Sequence, residues 1–66
     1  MNATAKQVQY ALHLLDQNGY STRFMNSSFK ALGATMRERS GTVEGWLRGM
    51  RGFEISALID QLKAVA

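Results

Sequence analysis

The chain has no cysteine, no proline, one histidine and one tryptophan among its 66 residues. Without cysteine, neither disulfides nor thiolate-bound zinc can reinforce a core. Without proline, helix ends have to be read from caps and glycines. No stretch approaches the roughly 18 consecutive apolar residues that span a bilayer. The first residues, MNATAK, lack the charged-then-apolar pattern of a secretory signal, so a cytoplasmic location is expected.

Acidic residues are equally sparse. Asp16, Glu38, Glu44, Glu54 and Asp60 are scattered singly, and none pairs at a metal-ligand or acid–base spacing. His13 has no cysteine to serve as base for a nucleophile, and its position off the first apolar stripe predicts an exposed surface histidine. No glycine-rich loop follows a strand pattern, so phosphate-binding fingerprints are missing. These absences predict a protein that is not an enzyme and has no catalytic residues, no metal and no cofactor.

Apolar residues make up 45% of the chain, ordinary for a globular protein and too many for a disordered one. The length fits one small domain, residues 1–66. A chain this short buries only about 60% of the surface that its unfolded form exposes. Stability must come from helix packing, with self-association as an expected supplement.

The pattern is helical throughout. Thr4 and Gln7 have the spacing of a capping box, and Val8, Ala11, Leu12 and Leu15 follow at i, i+3, i+4 and i+7. With Asn18-Gly19 as the stop, this predicts a helix over about residues 4–18. Met25, Phe29, Leu32 and Met36 then share one side of a helix if it is continuous, with Arg23, Lys30 and Arg37 recurring every seven residues opposite them. Alternatively, Asn26, Ser27 and Ser28 cap a shorter helix, and Gly33 disfavours a helix interior by about 1 kcal/mol. Ser40 or Thr42 caps the next helix, about 42–50, whose inward set is Val43, Trp46, Leu47 and Met50. After Arg51-Gly52 comes a last helix, about 53–65, with Ile55, Leu58, Ile59, Leu62 and Val65 inward. No alternating run is long enough for a strand. The fold expected is all-α, a compact bundle of three to four short helices. Its core comprises Leu12, Leu15, Phe29, Leu32, Trp46, Leu47, Ile59 and Leu62.

The richest chemical signal is charge. Between Lys30 and Arg51 stand five cations (Lys30, Arg37, Arg39, Arg48 and Arg51) against two acids, Glu38 and Glu44, so this window accounts for the whole net charge of +3. Arginine suits phosphate because its planar fork donates two parallel hydrogen bonds. The plainer reading is that Glu44 and Arg48, at i and i+4, form a solvated helix pair. Gly41, Gly45 and Gly49 recur every fourth residue. They allow close approach of a partner, such as a second copy through the Gly45/Gly49 side, or they simply mark a loosely packed helix. Trp46 reads as core before it reads as a base-stacking residue, and the methionines read as adaptable core filler.

The two ends resemble a small helical accessory module of phage- and plasmid-encoded DNA-metabolism proteins. Its pattern, T-x-K-Q followed by an apolar helix and later S-x-L-I-x-x-L, appears here as Thr4, Lys6 and Gln7, then Ser56, Leu58, Ile59 and Leu62. The resemblance covers the chain ends and implies a context more than an activity. The stretch GTVEGWLRGMR from Gly41 to Arg51 is also similar to the recognition-helix region of phage-repressor helix-turn-helix domains. That resemblance makes Thr42, Glu44 and Arg48 groove-facing and Val43 and Leu47 inward. The turn before it, MRERSG, departs from the family's small-residue and glycine offsets.

The function expected is a non-enzymatic module of a mobile genetic element. It binds DNA or RNA, or docks on a nucleic-acid enzyme, through Lys30, Arg37, Arg39, Arg48 and Arg51. The alternative is a protein-interaction module or inhibitor binding an acidic surface of a host protein. A structural homodimer is a third reading, and no membrane partner is expected.

Overall fold

The computed structural model describes residues 2–37 and 41–65; the Val65 side chain, expected inward, lies outside that description. It contains α1 (Ala5–Gln17), a 3-10 helix (Ser27–Leu32), α2 (Val43–Arg48) and α3 (Gly52–Val65). No strand occurs among the described residues; two isolated antiparallel bridges, Asn2 to Arg51 and Phe24 to Thr42, tie loops together. The fold is therefore the all-α bundle expected.

Each helix end is set by local chemistry. At α1 the Thr4 hydroxyl accepts from the Gln7 backbone N–H at 3.1 Å, and Gln7 Oε1 accepts from the Thr4 N–H at 2.9 Å. That reciprocal box satisfies two donors which the helix itself leaves unpaired. At its other end Gly19 takes φ 82, Tyr20 N–H donates to Leu15 O and Gly19 N–H to Asp16 O. A glycine is needed there because a Cβ strains the left-handed conformation. Replacing Thr4 with alanine should cost about 1 kcal/mol, seen as a lower urea midpoint at unchanged m. An unshifted midpoint would show that the box contributes nothing.

The bundle is built around α1, which packs most extensively on α3 and next on α2. Val8, Ala11, Leu14 and Leu15 of α1 meet Ile55, Leu58, Ile59 and Leu62 of α3 and Val43, Trp46 and Leu47 of α2 in one core. Phe29, fully buried, sits between the rings of Tyr20 and Trp46, with centroids 5.3 and 5.4 Å away. The α2 helix is only six residues long, too short to persist alone. Its Thr42 cap, three buried side chains and backbone bonds from Val43 N–H to Arg23 O and Met25 N–H to Gly41 O hold it in place.

Two expectations are corrected. The continuous helix from Met25 to Met36 is instead the short 3-10 helix. Asn26 Oδ1 accepts from Ser28 N–H and starts it, and Gly33 at φ 88 closes it, with Ala34 N–H donating to Phe29 O. Met36 consequently leaves the stripe and is 80% exposed, and the seven-residue recurrence of Arg23, Lys30 and Arg37 does not run along one helix. Leu12 and Leu32 are half-buried at the edge of the core; Leu14 takes the central place expected of Leu12. The Ser40 cap falls outside the described residues, and Thr42 is the cap observed.

The end patterns that carried the resemblance also acquire a structural role. Gln7 Nε2 donates to Ser56 Oγ at 3.4 Å, joining the T-x-K-Q start to the S-x-L-I helix. With Leu58, Ile59 and Leu62 buried, these residues hold α1 against α3.

Candidate nucleic-acid interface

Four of the five predicted site cations are described, and all four are exposed; Arg39 lies outside the described residues, as does Glu38. Lys30 projects from the 3-10 helix, in which Phe29 is the inward residue. Arg37 follows that helix and lines an open cleft of about 680 Å³ between α2 and α3. Arg48 ends α2 and Arg51 precedes α3, so the two flank Gly49 and Met50 of the cleft wall.

These cations are not equivalent. Arg48 Nε lies 3.0 Å from Glu44 Oε2 in the i, i+4 pair anticipated from the sequence. Both side chains are at least half exposed, so the pair adds little to folding, and it partly neutralises Arg48. Glu54 is engaged differently: its Oε1 accepts from the Arg51 backbone N–H at 2.9 Å, capping the start of α3. That bond uses the main chain of Arg51 and leaves the guanidinium to other uses. Of the four, only Arg37 lines the cleft, and Glu54 lines it too; Lys30 and Arg51 stand beside lining residues in sequence.

The cleft has an uneven wall. The α2 side presents Gly41, Thr42, Gly45, Trp46, Gly49 and Met50, and the α3 side Phe53, Glu54, Ala57, Leu58 and Gln61. Leu32 and Gly33 close one end, where Gln61 Nε2 donates to Ala31 O at 3.5 Å. Gly41, Gly45 and Gly49 all have ordinary negative-φ or extended backbone; only Gly19 and Gly33 have positive φ among the described residues. The Gly45/Gly49 side opens onto this cleft. Trp46 is buried, with its ring edge-on to Phe29, which makes it a core residue.

Phe53 escaped the reading of the sequence. It is 70% exposed on the cleft wall, off the Ile55/Leu58/Ile59/Leu62 stripe. The signal was an aromatic on the outward side of a well-phased helix, two residues after an arginine.

The element described before α2 is the 3-10 helix that ends at Leu32, and residues 38–40 of the segment between the two lie outside the described residues. Thr42 spends its hydroxyl on the cap, and Glu44 and Arg48 pair with each other.

Among the described residues no group of three or more His, Cys, Asp or Glu is arranged to hold a metal ion, and His13 is exposed. No helix of the described residues is long and apolar enough to cross a membrane. No family model, no curated protein and no solved structure matches the chain.

Proposed function

We propose that the chain is a non-enzymatic module of a mobile genetic element. It binds nucleic acid, or docks on an enzyme that acts on nucleic acid, through Lys30, Arg37, Arg48 and Arg51, with Arg39 adding a charge in the same window. The observation that carries this reading is the charge balance of the exposed surface. Among the described residues from 30 to 51 there are four cations and one acid, 4 − 1 = +3, and the acid is spent on Arg48. Phosphate contacts from such cations supply most non-specific affinity. The mobile-element context rests on the pattern at the chain ends alone.

The Glu44–Arg48 pair gives a test with two opposite signs. Glu44→Gln releases Arg48, so affinity for a labelled duplex should rise and the slope of log K against log salt should steepen by about 0.9, one phosphate contact. Arg51→Gln should lower affinity and flatten the slope by about the same amount. Neither change touches a buried group, so both variants stay folded. Equal affinity of all three proteins in an anisotropy titration contradicts the reading.

The open cleft with its exposed Phe53 favours one second reading, a protein-interaction module or inhibitor whose cations meet an acidic surface of a host protein. It predicts saturable binding to one protein and no affinity for random duplex. Either partner is met in the cytoplasm, the location proposed here.

A further inference from the structure

Phe53 does nothing for the fold that explains its size. It stands 70% exposed, on the side of α3 away from the core stripe, and no ring of the protein packs on it among the described residues. A single exposed aromatic is ordinary. This one, however, borders a cleft whose lining includes Arg37 as well as Glu54, and Arg51 lies two residues before it in sequence.

The cleft is open and has room for a small ligand. Its volume, about 680 Å³, exceeds that of a nucleotide and falls within the range of small-ligand sites. A Cβ at Gly41 would meet nothing and at Gly49 only ordinary contacts, whereas at Gly45 it would come within 2.9 Å of the Thr42 hydroxyl that caps α2. The effect of the glycines is a low wall of bare backbone opposite Phe53. An exposed aromatic face beside cations is how proteins hold unpaired bases, because every base has a π-face and every nucleotide a phosphate. In a duplex the bases are stacked on one another and such a ring cannot reach them.

We propose that Phe53 is a stacking platform for an unpaired base of single-stranded nucleic acid, which enters the cleft between α2 and α3 with its phosphate toward Arg51 and Arg37. This rests on the nucleic-acid reading above and names the strand form that the site takes.

Anisotropy with labelled oligothymidylate, beside a duplex of equal length, tests it. Phe53→Ala should lose about tenfold in single-strand affinity, with duplex affinity unchanged. Phe53→Tyr should keep the wild-type value, and Phe53→Leu, apolar but without a π-face, should fall with the alanine variant. Thermal unfolding of each variant should match wild type, since the side chain is exposed. Undiminished single-strand binding by Phe53→Ala, or by Phe53→Leu, overturns the platform while leaving the basic surface standing. No binding of either strand form by the wild type overturns both. A single-strand affinity that falls as protein concentration rises assigns the cleft to a second copy, and saturable binding to an acidic protein with none to oligothymidylate assigns it to that protein; each overturns the proposal.

Discussion

Phe29→Ala is expected to leave the protein largely unfolded at physiological temperature. Phe29 has no exposed surface, and it is the one buried residue of the 3-10 helix. Its ring joins Tyr20, which follows α1, to Trp46 of α2. Removing it opens a cavity where three segments converge and detaches the 3-10 helix from the bundle. Such truncations cost about 3–5 kcal/mol. Folded domains have only about 5–15 kcal/mol in total, and a chain of this size lies near the lower end. Phe29→Leu, which keeps most of the apolar volume, should retain a cooperative transition at a lower midpoint. Urea unfolding followed by circular dichroism measures both. A wild-type midpoint in Phe29→Ala would show that the aromatic cluster is not the centre of the fold.

The largest functional effect should come from reversing charge. Changing Lys30, Arg37 and Arg51 together to glutamate alters the net charge from +3 to 3 − 6 = −3. All three side chains are exposed, so the fold should survive. Position 51 tolerates the change for a further reason. An acidic side chain at the start of α3 suits the helix dipole, and the Glu54 bond goes to the backbone N–H, which any residue but proline supplies. Nucleic-acid binding should disappear even at low salt, because the surface then repels phosphate. The same three positions changed to arginine or lysine should bind as wild type does. Retained binding by the reversed variant, with circular dichroism unchanged, would place the interface elsewhere.

Much of this fold is legible in the residues, and the illegible part has a physical cause. Thr4 with Gln7, and Gly19 after Asn18, specify α1 by local hydrogen bonding alone, and the 55/58/59/62 spacing specifies the buried side of α3. The middle is different because two local signals compete there. The spacing of Met25, Phe29, Leu32 and Met36 favours a long helix, whereas Asn26 and Gly33 favour a short one. The cap and the left-handed glycine prevail, and Met36 goes to solvent. Charge is countable from the sequence, but the pairing of Arg48 with Glu44 depends on side-chain geometry that spacing alone leaves open. The cleft was not legible at all. It arises where the glycine side of α2 faces Phe53, Ala57 and Gln61 of α3, a tertiary juxtaposition that no local pattern encodes.

The central claim is that the exposed cations from Lys30 to Arg51 hold phosphate, and the salt dependence of nucleic-acid affinity tests it most directly. Wild-type protein titrated into a labelled duplex, from about 20 mM salt upward, should give a linear fall of log K with log salt. Three to four phosphate contacts predict a slope of about −3, at about 0.9 per contact. No binding near 20 mM salt, or an affinity indifferent to salt, contradicts the account.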